Sequence, residues 1–298
     1  MSKSNPTFVD RAIEFLRPVL PARLRGDIPL VPVVKLSGVI GFVTPLRSGL
    51  TLGGISRTLE RAFTMRHARA VALAINSPGG SPVQSHLIFR RIRELAEENE
   101  VPVLAFVEDV AASGGYMLAC AADEIICDPS SMVGSIGVVG GTFGFDKLIE
   151  KIGVERRLYT SGERKVMLDP FLPEKPDDVK RLKAIQKEIH DSFIDLVKSR
   201  RGAKLQGPEK TLFSGEYWTG MRGRELGLVD ALGDLRAVLR ERYGDKVQTP
   251  LVSPERGFFA RRLRGISGDG PVGLVQPGFA EDVVAALEAR ALWARYGL

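Results

Sequence analysis

Histidine and cysteine are the scarcest chemically active residues of this chain, which has 298 residues but only three histidines and two cysteines. Cys120 and Cys127 lie in an apolar stretch without the spacing of metal ligands, so we interpret them as core residues in a reducing compartment. So few histidines leave little room for a metal centre or a serine–histidine–aspartate triad. We therefore expect no metal and no other cofactor.

Long apolar runs are also lacking, since no run reaches the ~18 residues that a membrane-spanning helix requires. The N-terminus has neither the continuous apolar segment nor the small-residue cleavage site of a signal peptide, which predicts a cytoplasmic protein. The net charge of +6 is mild and is not arranged in dense basic patches, so we expect no nucleic-acid partner.

The composition divides the chain into three parts. Residues 1–27 form a basic arm with apolar residues at helical spacing, and two interpretations stay open. The arm either lies on the inner face of the cell membrane as a peripheral amphipathic helix, or it packs on the body or on a neighbouring subunit. Residues 28–250 form the main domain, and 251–298 hold a glycine-, proline- and arginine-rich linker and a C-terminal amphipathic helix.

Apolar strands alternate with amphipathic helices through the main domain. We predict strands at 28–41, 70–76, 102–107 and 124–128, and helices at 56–68, 84–98 and 176–201. The run at 70–76 is continuously apolar, which is typical of a strand buried on both faces. This alternation predicts an α/β fold with a mainly parallel sheet built from βαβ units.

The stretch "AASGGY" (111–116) places a serine, followed by two glycines, where an apolar strand meets a helix. In one interpretation Ser113 is a helix N-cap that accepts a backbone N–H. In the other it is a nucleophile whose developing oxyanion is held by nearby free N–H groups. The motif taken alone favours the cap.

Two further loops bear on that choice. The stretch "INSPGGS" (75–81) also follows a buried strand, and Gly79 and Gly80 there let backbone N–H groups approach a ligand closely. Successive strand-to-helix loops of a parallel sheet lie side by side, which brings this loop beside Ser113. The stretch "SGERKVMLDP" (161–170) offers Lys165 as a base, provided that burial or a nearby cation keeps its amine neutral. The alternative is a solvated loop lysine.

These stretches, together with "YWTGMRGRELGLVDALG", resemble the signal peptide peptidase A group of S49 serine peptidases in its short, single-unit bacterial form. The motifs occur in the same order and at similar spacing from about residue 30 to about residue 245. The resemblance implies a ClpP/crotonase-like fold, a Ser113–Lys165 dyad, and an oxyanion hole lined by Gly79, Gly80 and Gly114. It also implies a ring- or dome-shaped homo-oligomer in which the dyad can be completed across an interface.

The function expected from this resemblance is a serine endopeptidase that forms an acyl-enzyme. Its substrates would be unfolded or membrane-derived peptides such as signal-peptide remnants. Many members of the family carry an N-terminal membrane anchor, whereas this sequence begins with the basic arm. A crotonase-like acyl-CoA enzyme and a non-catalytic membrane-associated scaffold are the alternatives.

Overall fold

The computed structural model describes residues 28–253, apart from 42, 45, 46 and 163, and residues 290–297. The arm at 1–27 and the linker at 254–278 lie outside the described residues. Strands in the described part are β1 (Val33–Ser37), β2 (Val43–Thr44), β3 (Arg47–Ser48), β4 (Val71–Ser77), β5 (Val103–Ala112), β6 (Glu124–Cys127), β7 (Met132–Gly134), β8 (Tyr217–Thr219) and β9 (Ala231–Leu232).

Eight helices accompany these strands in the described ranges. They are α1 (Leu52–Phe63), α2 (Pro82–Asn99), α3 (Gly114–Ala119), α4 (Asp146–Lys151), α5 (Pro176–Arg201), α6 (Glu209–Leu212), α7 (Gly220–Glu225) and α8 (Leu235–Tyr243), with a 3-10 turn at Gly202–Lys204. Residues 290–294 are also helical.

The main sheet has the strand order β1-β4-β5-β6-β9, and all of these pairs are parallel. The strand β5 changes partner along its length: Leu104–Val107 pair with β6, and Val110–Ala112 pair with β7. The strand β8 then adds to β7 in antiparallel orientation. The predicted parallel α/β architecture is confirmed, and β5 carries its last residues beyond β6 toward the Ser113 loop.

Two cores explain the continuous apolar run of β4. Val71, Leu73 and Ile75 face the larger core, which lies between the sheet and helices α1, α2 and α3. Ala72 and Ala74 face the second core, which α8 covers from the other side. Because successive side chains of a strand point to opposite faces, a strand between two cores is apolar at every position.

A buried ion pair anchors the end of α5. Arg201 is 3% exposed, its Nη1 lies 2.6 Å from Asp230 Oδ2, and its Nε and Nη2 donate to the Gly227 carbonyl. Tyr116 in α3 donates to the neighbouring Leu228 carbonyl at 2.8 Å. The loop before β9 therefore joins α5 to the short helix that follows Ser113.

Several predicted boundaries are wrong. The strand predicted at 28–41 is regular only at Val33–Ser37. The helix predicted at 56–68 begins at Leu52, because the Thr51 side chain accepts from Gly54 N–H and caps it, and it ends at Phe63. Leu87, predicted on the buried stripe of α2, is 36% exposed.

Candidate active site

Ser113 lies at the end of β5, in a backbone conformation that L-residues rarely adopt. Its φ is 53° and its ψ is −122°, and its N–H donates to the Gly134 carbonyl at 2.8 Å. Ser113 occupies the N-cap position of α3, but its side chain makes no capping hydrogen bond. The N-cap interpretation therefore does not account for the hydroxyl, which lies on a partly exposed residue at a strained turn.

Gly79 packs directly against this turn. A Cβ at Gly79 would lie 2.8 Å from Ser113 Cβ, which is too close for a side chain, and 3.0 Å from the Gly114 nitrogen, which is a tight contact. The φ of Gly79 is also +100°, which favours glycine. The predicted adjacency of the two glycine-rich loops is therefore present in the structure.

The three candidate oxyanion-hole glycines differ in what their amides do. Gly79 N–H donates to Ser77 Oγ at 3.2 Å. The residues on either side of Gly80 form hydrogen bonds with Ile40: the Ile40 N–H donates to the Gly79 carbonyl, and the Ser81 N–H donates to the Ile40 carbonyl. Neither bond uses the Gly80 N–H. Within the described part of the chain, the N–H groups of Gly80 and Gly114 have no protein acceptor. Of the two loop glycines, Gly79 is therefore the one that packs against Ser113, and Gly80 is the one whose N–H makes no hydrogen bond within the described residues.

Lys165 lies in the loop before Asp169 and is exposed. Its backbone N–H donates to the Gly162 carbonyl at 3.2 Å, and no hydrogen bond joins its Nζ to Ser113 Oγ among the described residues. The apolar neighbours that the sequence analysis noted do not bury it within one chain. Within the described part of one chain, Lys165 is thus an exposed side chain with no hydrogen bond to Ser113.

The segment that carries Lys165 is organised by its own contacts. Asp169 accepts from the Phe171 N–H at 2.9 Å and from Arg156 at 3.0 Å, and these two hydrogen bonds lower the pKa of its carboxyl. Arg156 also lies over the Phe171 ring, 5.3 Å from its centroid, and Phe171 packs beside Phe145. The Lys165 loop is therefore tethered at its C-terminal end.

The surface of this segment is unusually apolar. Among the described residues, eight of the fourteen large hydrophobic side chains with high exposure lie between 139 and 159. Phe143 is 78% exposed and Tyr159 is 92% exposed. Clusters of this kind mark interaction surfaces more often than free surface. We call residues 139–159 the apolar arm.

Sequence reasoning missed the strand β7 and its partner β8 as parts of the site. The stretch "MVGSIG" (132–137) has the signal of a short apolar strand ending in glycine and serine, but three residues carry no periodicity. In the structure Gly134 accepts from Ser113, and a Cβ at Gly134 would lie 2.8 Å from the Trp218 ring. His190 of α5 adds a contact between its Nε2 and the Ile136 carbonyl at 3.0 Å.

No helix in the described ranges has the length and apolarity needed to cross a membrane. Sequence comparison gives relatives of several kinds. A protein named Na(+)/H(+) antiporter NhaA, from Brucella abortus (strain 2308), is 54% identical over 289 residues, which are 95% of this chain and 39% of that protein. The chain thus spans about two fifths of that relative, and the antiporter name belongs to the longer protein.

Other relatives carry protease names. Serine protease SPPA, chloroplastic, from Arabidopsis thaliana is 32% identical over 217 residues, 71% of this chain and 32% of that protein. A putative protease of Synechocystis sp. is 31% identical over 202 residues, 66% of this chain and 72% of that protein. Residues 96–247 match peptidase family S49, which confirms the ClpP/crotonase-like α/β fold. The chain therefore belongs to peptidase family S49, in its signal peptide peptidase A-like group.

Proposed function

We propose that this chain is a serine endopeptidase with Ser113 as nucleophile and Lys165 as general base. The observation that carries the proposal is the uncapped Ser113, held at φ 53° against the Gly79–Gly80 loop, while the N–H groups of Gly80 and Gly114 have no protein acceptor in the described part of the chain. A serine that only began a helix would use its hydroxyl as a cap and would have no need of a strained backbone. Matches to an S49 family and to protease-named relatives support the same reaction class.

The proposed reaction runs in two halves. Neutral Lys165 accepts the proton of Ser113 Oγ while the oxygen attacks the peptide carbonyl carbon. The N–H groups of Gly80 and Gly114 bind the oxyanion, each contributing about 3 kcal/mol in comparable sites. The C–N bond then breaks, and protonated Lys165 gives its proton to the leaving amine. Lys165 then takes a proton from water, the resulting hydroxide attacks the ester carbonyl, and protonated Lys165 gives its proton to Ser113 Oγ as the ester C–O bond breaks.

We place the base on a neighbouring copy of the chain. Lys165 is exposed and has no bond to Ser113 within one chain, and the apolar arm beside its loop is also exposed. Packing residues 139–159, the apolar arm, against a second copy would bury both apolar surface and Lys165. Burial favours the neutral amine that a base requires. The assembly proposed is a closed ring or dome of identical subunits, which a head-to-tail contact forms where its rotation returns to the first subunit.

The substrates proposed are unfolded or membrane-derived peptides such as signal-peptide remnants, with small or apolar side chains near the scissile bond. The Ser113 turn packs against the Gly79–Gly80 loop, where the two glycines let the backbone of an extended peptide approach closely. We also propose that residues 1–27 make a peripheral contact with the membrane. We propose no nucleic-acid partner.

The test is hydrolysis of an unfolded, apolar-rich peptide by the wild type, Ser113→Ala and Lys165→Ala, with the fold and oligomer size of each variant checked. Lys180→Ala is the matched control, because Lys180 is an exposed lysine outside the apolar arm. We expect cleavage by the wild type and the control, and none by the two site variants. Equal behaviour of all four would contradict the peptidase proposal and favour the scaffold or acyl-CoA alternatives.

Mixing the two inactive variants tests whether the dyad spans two copies. A Lys165→Ala subunit supplies Ser113, and a Ser113→Ala neighbour supplies Lys165. Random 1:1 mixing in a ring with one head-to-tail contact per site restores about one quarter of the wild-type activity. Intact mixed oligomers without activity would place the dyad within a single chain.

A further inference from the structure

The C-terminal segment 290–297 returns to the strand that carries Ser113, although the family match ends at 247. Trp293 and Tyr296 pack with Val110 and Ala112. These two residues lie on one face of β5, at its end before Ser113. Met132 of β7 joins the same cluster. The segment therefore covers the underside of the Ser113 turn rather than extending from the domain.

Tyr296 makes the most specific contacts of this segment. Tyr296 is 9% exposed, and its hydroxyl lies 3.4 Å from Ser135 Oγ. Its ring packs edge-on against Tyr217, with 4.9 Å between the two ring centroids. Tyr217 in turn donates to the Arg295 carbonyl at 3.1 Å. The ring and the hydroxyl thus reach β8 and the end of β7 from one position.

Ser135 is joined to the nucleophile through one peptide unit. The carbonyl of Gly134, which belongs to the Gly134–Ser135 peptide, accepts the Ser113 N–H at 2.8 Å. The N–H of the same peptide donates to the Glu216 carbonyl at 2.7 Å. Gly134 and Ser135 both have positive φ, of 104° and 53°. Such a peptide holds its orientation only where its surroundings fix it, and Tyr296 is one of the groups that do so.

We propose that Tyr296 is a positioning residue for Ser113, acting through its hydroxyl on Ser135 and through the Gly134–Ser135 peptide. The C-terminal segment is then part of the catalytic unit. This inference rests on the proposed function. It predicts that the hydroxyl of Tyr296 affects the reaction of Ser113 without affecting the binding of peptide, because it touches the peptide unit behind the nucleophile.

The experiment uses the full chain and three variants: Tyr296→Phe, Ser135→Ala and the double variant. Each is measured for kcat and KM on the unfolded peptide, for the rate at which a fluorophosphonate labels Ser113, and for Tm. Tyr243→Phe is the matched control, because Tyr243 packs against the second core on the far face of the sheet. Ser113→Ala is included as the reference for loss of the nucleophile.

We expect each single variant to lower kcat and the labelling rate about threefold to tenfold, the range for one neutral hydrogen bond, with KM and Tm unchanged. The double variant should be no slower than the slower single variant, because both changes remove the same bond. Wild-type kcat and labelling in Tyr296→Phe, or a double variant as slow as the product of the singles, would overturn the inference. Cleavage by Ser113→Ala would instead overturn the proposed function.

Discussion

The substitution Gly114→Ala should be tolerated only in a variant in which Ser85 has also lost its hydroxyl, as in Ser85→Ala. A Cβ at Gly114 would lie 2.3 Å from Ser85 Oγ and 3.3 Å from both Ser85 Cβ and Ile40 Cδ1. Ser85 is completely buried, and its hydroxyl donates to the Ser81 carbonyl at 2.8 Å, so it has no open space to move into. The clash between an alanine Cβ at position 114 and Ser85 Oγ is thus the one that the structure cannot relieve.

The magnitude follows from two opposing effects. Overpacking a close-packed core costs about 1–3 kcal/mol, and replacing glycine by alanine in a helix returns about 0.5–1 kcal/mol. We expect Gly114→Ala to lower the free energy of unfolding by about 1–2 kcal/mol. Ser85→Ala loses one hydrogen bond worth about 1 kcal/mol. In the double variant the clash is absent, so its loss should fall short of the sum of the single losses by about 1–2 kcal/mol.

Urea unfolding of the four proteins measures this coupling from the midpoints, provided that the m-values agree. Gly115→Ala is the matched control, because a Cβ there would lie 2.4 Å from the Ser77 carbonyl oxygen, a backbone atom that no substitution removes. Ser85→Ala should not rescue Gly115→Ala. Losses for Gly114→Ala and Ser85→Ala that add within about 0.5 kcal/mol would refute the packing argument.

Three further outcomes are expected. Ser113→Gly should be more stable than Ser113→Ala by about 1 kcal/mol in urea unfolding, because φ 53° suits glycine, and the reverse order would show that the turn is unstrained. Burial raises the pKa of Cys120 and Cys127 to about 12, so a thiol reagent at neutral pH should react only after urea is added, and rapid reaction of the native protein would contradict the buried placement. Burial alone would raise the pKa of Asp230, but hydrogen bonds, chiefly from Arg201, outweigh it and lower that pKa. The stabilisation by this pair is then present above the unfolded value of about 3.9 and lost as the pH falls through the lower folded value. Asp230→Asn should therefore lose stability at pH 7, measured by urea unfolding, and this deficit should shrink as the pH falls; a deficit independent of pH would argue against the ion pair.

Local signals predicted the elements that they govern. Helix α5 begins at Pro176 and ends at Arg201 as predicted, because a proline suits the first turn and a glycine follows the last residue. The strand β4 matches its prediction within one residue, because an apolar run between two cores needs no longer-range information. Helix α1 begins four residues before its predicted start, because the Thr51 side chain caps a helix whose first turn contains Gly53 and Gly54.

In the site, too, local patterns predicted some features, and contacts between distant residues determine the others. The glycine pattern predicted that the Gly79 loop lies against Ser113, because parallel strands end at one edge of a sheet. The choice between Gly79 and Gly80 depends on Ser77 Oγ, which occupies one amide and not the other. The role of β7, β8 and Tyr296 depends on contacts between distant parts of the chain, and no local pattern in three-residue strands specifies them.

The partner change of β5 has a consequence for how the protein is made. The strand β5 pairs first with β6 and then with β7, both close to it in the chain, but β7 also pairs with the distant strand β8. Closing the β7–β8 pair spans about 80 residues, which makes it a late event in folding. During synthesis the Ser113 turn therefore stays incomplete until residues 217–219 have left the ribosome, and Tyr296 emerges later still. Under the proposed function, an unfinished chain lacks the completed turn with which to cut itself.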